Sequence, residues 1–429
     1  MRTDQNAQFF SEPHFLLWTR SILSCVRVFL LSIVCTFFFN NIANAQLHFV
    51  SIGNWGFGNQ NQAITAAALK RVAKQDHISY IISPGSNFAG GVTALNDSTW
   101  KADFEDVYSD PDGSLKVPMF TVLGTEDWSS NYSAQILKTA DAHSPENSQN
   151  TFPKWTTPNW WYHYFSHFSA NTGPALLSSG HRDLGICFSF IDTWILSNSF
   201  PVREISQLAW TELEATLVGM SKVINEQRAL YALDGPQIFC GIKLICDYIF
   251  VVGDLAIYAS GGYKGDSYLS KHLLPLLKQA NVDAYITGND FTLEAIEYEG
   301  ISHINCGSAS KGSSYLFSSQ GKSKFFSGEV GFCAHEVTAT EIRTKFIESA
   351  SGNTLFEYSQ KIKARSQKTA FSAVKATREL PPVRYVPVPP MVRMPGKDIF
   401  VKVVGSIGLC IAFFFLMLST AIGASKSAK

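Results

Sequence analysis

The chain has 429 residues, of which 35 are Lys or Arg and 35 Asp or Glu, so it carries no net formal charge, and 46% of it is apolar. A chain of this length builds one large domain or two small ones. The ordinary apolar content excludes a disordered protein, and the balanced charge without a long basic run excludes a nucleic-acid binder.

The first predicted element is a targeting segment. Ile22 to Phe39 is almost wholly apolar, follows Arg20, is interrupted only by Arg27, and leads into Ala43-Asn44-Ala45, the small-x-small pattern that signal peptidase accepts. Residues 1–45 therefore read as a cleaved signal peptide, with an uncleaved N-terminal anchor as the alternative.

The body, residues 46–357, opens with an apolar strand, Leu47 to Ile52, that runs into a glycine turn and then the helical pattern of Gln62 to Lys74. A strand at Tyr80–Ser83 ends in Pro84-Gly85, and a strand at Pro118–Leu123 ends at Gly124. Strand, glycine turn and helix repeating at these intervals predict an α/β layered fold. Tyr248–Val252 and Ala284–Thr287 are later strands of the same kind. Between them, Tyr268 to Ala280 carries Leu269, Leu273, Leu274, Leu276 and Leu277 at helical spacing, a stripe that belongs in the core.

After Phe325 the pattern turns to mixed strands. A polar segment from Tyr358 to Glu379 precedes the proline-dense run Leu380 to Pro390, whose composition favours an extended conformation and forbids a regular helix or central strand. Residues 358–398 read as a semi-rigid stalk, with a docking site for a proline-recognising partner as the alternative. Val403 to Gly423 is an apolar run long enough to cross a bilayer core of ~30 Å as a helix. Residues 399–424 are thus expected to span a membrane and residues 425–429 to form a short cytosolic tail; a glycolipid-anchor signal is the rival, but such signals end in the apolar run.

Secretory entry agrees with two glycosylation sequons, at Asn96 and Asn131. The body holds five cysteines, Cys187, Cys240, Cys246, Cys306 and Cys333, enough for two bridges and one free thiol, and none has zinc-site spacing. No Gly-x-Ser-x-Gly elbow is present, and the Gly53-x-x-Gly56-x-Gly58 turn lacks the order and the downstream acid of a dinucleotide loop.

Five loops carry the functional signal: Gly53-Asn54-Trp55-Gly56, Gly85-Ser86-Asn87-Phe88-Ala89, Gly124-Thr125-Glu126-Asp127, Val252-Gly253-Asp254 and Gly288-Asn289-Asp290-Phe291. In order and spacing they resemble the five motif blocks of the purple acid phosphatases, which in active members read Gly-Asp-Trp-Gly, Gly-Asp-Asn-Phe-Tyr, Gly-Asn-His-Asp, Gly-His and Gly-His-Asp-His. The resemblance covers about Leu47 to Tyr315 and implies a four-layer α/β/β/α metallophosphoesterase sandwich followed by the C-terminal membrane helix.

The same resemblance implies a site where an iron and a second divalent metal polarise a phosphate and lower the pKa of an attacking water. Carried over by motif, the seven ligand positions are Asn54, Ser86, Ala89, Thr125, Asp254, Asn289 and Phe291, and the substrate-phosphate position is Glu126. All differ from the family pattern, and none of the ten histidines stands at a motif position. A carboxylate at Glu126 repels a phosphate ester, and the ring of Phe291 is expected to fill space that a metal needs. No catalytic residue and no cofactor are therefore expected. Two alternatives stay open: a weak Mg²⁺ or Ca²⁺ site near Asp127, Asp254 and Asp290, and an active secretory acid metallophosphatase with non-standard ligands.

A degenerate phosphatase body with a signal peptide, a proline stalk and one late span also resembles a family of phosphatase-like membrane anchors from apicomplexan parasites. That resemblance implies a type I protein of the inner membrane complex, reached through the endoplasmic reticulum, with most of the chain lumenal. It implies a non-catalytic role holding the gliding motor, the glideosome, with class XIV myosin, its light chains and other glideosome-associated proteins as partners. A surface receptor or adhesion protein stays open as a third reading, which labelling of intact cells by an impermeant reagent distinguishes.

Overall fold

The computed structural model describes residues 46–144, 147, 150–171, 181–221, 247–262, 264–307, 309–313, 322–361 and 363. The chain divides into two units, Met1–Ser372 and Ala373–Lys429, and all described residues lie in the first. The expected signal peptide, the span at 399–424, the tail and most of the stalk lie outside the described residues. Among the described residues no helix is long and apolar enough to cross a membrane.

Fourteen strands are described. Chain order gives β1 (Leu47–Ser51), β2 (Tyr80–Ser83), β3 (Pro118–Thr121), β4 (Lys154–Thr156), β5 (Trp161–Asn171), β6 (His181–Ile191) and β7 (Tyr248–Val252), then β8 (Ala284–Thr287), β9 (Leu293–Tyr298), β10 (Ile301–Cys306), β11 (Ser323–Ser327), β12 (Gly331–Val337), β13 (Glu341–Glu348) and β14 (Thr354–Lys361). They form two seven-stranded sheets, β14-β13-β12-β1-β2-β3-β4 and β11-β9-β10-β8-β7-β6-β5. β1 to β4 run parallel, as do β6, β7, β8 and β10, so the C-terminal ends of the strands carrying the five motif loops lie at one end of each sheet.

The main helices are α1 (Gln60–Asp76), α2 (Tyr132–Ala142), α3 (Thr193–Leu196), α4 (Arg203–Ser221) and α5 (Ser267–Gln279). α1 starts where the Asn59 side chain accepts from Gln62 N and stops where His77 turns left-handed, at φ 52°. Asp266 caps α5 by accepting from Tyr268 N and Leu269 N at 2.8 and 2.9 Å. Of the predicted α5 stripe, Leu269, Leu273, Leu274 and Leu277 are buried, worth roughly 2 kcal/mol each. Leu276 is instead only partly buried, because it stands at the margin of that face.

Three apolar layers order the molecule. Phe49, Ile82, Phe188, Phe250, Ile286 and Phe346 pack between the sheets. Leu69 of α1 joins Val50, Ile81, Met119 and Trp155 on the outer face of the first sheet. Leu217 of α4 and the α5 leucines join Ile249, Val251 and Tyr285 on the outer face of the second. Helices, sheet, sheet and helices follow one another.

A disulfide between Cys306 on β10 and Cys333 on β12 ties one sheet to the other, and Cys187 is also disulfide-bonded. One boundary differs from the sequence reading. Tyr358 to Lys361, expected to begin the stalk, complete β14, because Phe356 stacks on Phe325 and the Ser302 hydroxyl bonds both Tyr358 and Gln360. Leu47, Val337, Ile342 and Gln360 lie in one row across four strands, so the body begins and ends at the edge opposite the motif loops.

Candidate functional site at the strand ends

Loop proximity here is set by glycine. A Cβ on Gly53 would stand 2.6 Å from the Gly288 Cα, and one on Gly124 would stand 2.3 Å from Ser86 N and 2.6 Å from an Asp254 carboxylate oxygen. The loops therefore touch backbone to backbone, which only glycine permits at such distances.

The residues in which these loops agree with the phosphatase pattern form one buried network. Trp55 Nε1 donates to Ser83 Oγ at 2.9 Å, and Ser83 Oγ donates to Asn87 Oδ1 at 2.6 Å. Asn87 Nδ2 donates to Val122 O at 2.9 Å and reaches Asp127 and Gln135. The Asp127 carboxylate accepts from the backbone N–H groups of Asn87, Phe88 and Gly124 and from Gln135 Nε2 at 2.7 Å. Burial, first among its causes, pushes the Asp127 carboxyl up to about 7, against the pull of those hydrogen bonds. Asn87 and Gln135 are positioning residues that reading by ligand position missed. For Asn87 the signal was present, since it stands in the second motif loop.

The seven resemblance-assigned positions fall into two groups. Asn54, Ser86, Thr125, Asp254 and Asn289 come together. Asp254, fully buried, accepts at Oδ2 from Thr125 N at 2.8 Å, Thr125 Oγ1 at 3.0 Å and Asn289 Nδ2 at 2.8 Å. Asn289 N donates to Asp254 O at 3.1 Å, and the Asn54 amide donates to Gly288 O. Burial is the main cause that raises the Asp254 carboxyl above its ordinary range, opposed by Thr125, Asn289 and Ser86. Its Oδ1 makes no hydrogen bond, although the Ser86 hydroxyl acts on the same carboxyl.

Ala89 and Phe291 stand apart. Ala89 is exposed beside Gly90, whose N–H reaches Glu126 Oε2 at 3.3 Å, so Glu126 lies on the rim. The Phe291 ring is half-buried, edge-on to Phe57 at 6.0 Å and under Lys311 Nζ at 5.1 Å, while Thr125 and Asn289 surround Asp254. Asn54, Ser86 and Phe291 all keep left-handed backbone, at φ 50°, 49° and 55°, a conformation that costs about 1 kcal/mol or more for a side-chain-bearing residue.

Asp127, Asp254 and Asp290 do not gather. Asp290 accepts from Gly261 N at 2.9 Å and Thr292 Oγ1 at 3.3 Å, and Asp127 faces the backbone of the second and third loops. Among the described residues, the one group of three ligating side chains within 4.8 Å of one another is Cys306, Cys333 and His335, and its two sulfurs are joined in the disulfide. Of the sequon asparagines, Asn96 is exposed, and Asn131 is exposed with its amide donating to Thr93 O at 3.0 Å.

No family model matches the chain. It is 40% identical to glideosome-associated protein 50 of Plasmodium falciparum (isolate 3D7) over 393 residues, which cover 90% of this chain and 94% of that protein. The chain belongs to the glideosome-associated protein 50 family. A solved structure described as GAP50, the anchor in the inner membrane complex of Plasmodium, superposes with a TM-score of 0.65 at 41% identity, over 76% of this chain and 91% of the other. Purple acid phosphatase 7 of Arabidopsis thaliana is 28% identical over 260 residues, 60% of this chain and 68% of that enzyme. The glideosome-associated protein 50 family thus carries a phosphatase-like body, as the motif loops imply.

Proposed function

We propose that this protein is a non-catalytic membrane anchor for the gliding motor, resident in the inner membrane complex and built on a phosphatase-like body. One observation carries the non-catalytic part: where the resemblance places a dinuclear centre, the one carboxylate present is held by three hydrogen-bond donors. A dinuclear iron centre needs several converging carboxylate, imidazole and phenolate donors to offset its charge. Asn289 Nδ2, Thr125 N and Thr125 Oγ1 instead present N–H and O–H groups to Asp254. The residues do not fit that metal pair.

The anchoring part rests on family membership and on the apolar segment at 399–424, with a type I topology and a body ending at Lys361 rather than at residue 357. Class XIV myosin, its light chains and other glideosome-associated proteins are the partners. Capture of the tagged full chain from mild detergent tests this directly. Recovery of myosin with its light chains supports the anchor, and their absence under conditions that keep the motor complex intact overturns it.

A second reading draws on the unbonded Asp254 Oδ1: a weak divalent ion, or a hydrolase using it. Metal content of the purified protein and turnover of a chromogenic phosphate ester distinguish the two. Stoichiometric metal together with turnover abolished by Asp254→Ala overturns the non-catalytic assignment.

A further inference from the structure

β14 is an edge strand of eight residues, and among the described residues nothing pairs with its outer side. It contains no proline, and Leu355, Glu357, Ser359 and Lys361 alternate along its exposed face. Edge strands offer a row of unpaired backbone groups, and proteins usually guard them with charge, proline or a covering element. A guard of one sign repels a second copy. This edge has one charge of each sign, four residues apart.

The pattern continues inward. Lys345 on β13 stands opposite Glu357, and Glu341 opposite Lys361, so charge alternates across the sheet. We propose that β14 pairs antiparallel with β14 of a second copy of this chain, in the register centred on Ser359. That register sets each Glu357 opposite the other copy's Lys361, and the alternation Lys345, Glu357, Lys361, Glu341 runs unbroken through the joint. The two-fold axis stands perpendicular to the sheet, which keeps Phe356 and Tyr358 on the core side in both copies.

Neighbouring registers are worse. Centring on Tyr358 sets Glu357 against Ser359, and centring on Gln360 draws on Lys363, which already donates to Val282 O of its own body. Centring on Glu357 or on Lys361 sets like charge against like, which opposes pairing.

The test uses the full chain in native membranes or mild detergent. Ser359 stands opposite itself, at a ladder spacing that a disulfide can bridge, so Ser359→Cys gives a cross-linked homodimer on mild oxidation, above the background of the unmodified chain. Ser351→Cys, in the exposed turn before β14, gives none. Lys361→Glu weakens self-association about tenfold, and mixing that variant with Glu357→Lys, which sets Glu against Lys at both places across the joint while each copy keeps its own single-variant contacts, restores association between the two. Circular dichroism on each variant confirms that the body stays folded. No Ser359→Cys dimer, cross-linking to a different polypeptide, or failure of the two mixed variants to associate each overturns the proposal.

Discussion

The Asp254 carboxyl sits where four loops meet, and the surrounding Thr125 and Asn289 are its hydrogen-bond donors. The backbone of these loops is strained at Asn54, Ser86 and Phe291. Of the three, Ser86 is the simplest to truncate: its hydroxyl accepts a long bond from Glu126 N at 3.4 Å and otherwise acts on the Asp254 carboxyl, which keeps its three donors from Thr125 and Asn289. Ser86→Gly is expected to stabilise the protein by about 0.5 to 1 kcal/mol, read as a shift in the denaturant midpoint. Gly124→Ala tests the opposite sign. Its added carbon meets Ser86 N and the Asp254 carboxyl, neither of which yields easily, so a loss of more than about 2 kcal/mol is expected in the same measurement.

Among elements, strand ends hold the loops and the disulfide holds the sheets. Cys306 and Cys333 are 27 residues apart in sequence and lie on strands of opposite sheets, so the bridge limits how far the unfolded chain can expand. Replacing both with Ala is expected to cost about 3 kcal/mol, measured by equilibrium unfolding, with the circular dichroism of the folded state unchanged. Most elements were legible from local pattern. β2, β7 and β8 fall at the predicted residues, and α5 within one residue at each end, because apolar runs bounded by Gly, Pro or an Asp cap are local signals. The extent of β14 was not legible, since Tyr358 and Gln360 read as polar loop until Ser302, more than fifty residues away in sequence, bonds them.

For the whole molecule, buried ionisable groups make stability depend on pH in two opposed directions. His303 is buried among tyrosines, neither ring nitrogen is hydrogen-bonded, and burial pulls it down to about 3. A histidine held neutral in the folded state contributes stability above its ordinary value near 6.5, and that stability is lost as pH falls from 6.5 towards 3. His335, also pulled down to about 3, acts in the same sense. Asp127 acts oppositely, since a carboxyl raised to about 7 favours the folded state at low pH and loses that contribution as pH rises from about 4 through 7. His303→Phe isolates one contribution, because no hydrogen bond is removed. The variant is expected to gain about 2 kcal/mol on the parent between pH 7 and pH 5, in unfolding curves taken at both.

The sequence by itself determined the α/β class, the five loops and their glycines. All of these are written in short windows, where a strand and a turn are read directly. Tertiary structure decided what the side chains of those loops bond. Asp254 and Thr125 are 129 residues apart, and Asp254 and Asn289 are 35 apart, so no local pattern could show that they bond one another. It likewise separated Asp127 and Asp290, equal candidates in the motifs, by turning each carboxylate onto a different stretch of backbone. Burial leaves a carboxylate few stable options, and which donors reach it is settled only when distant loops close.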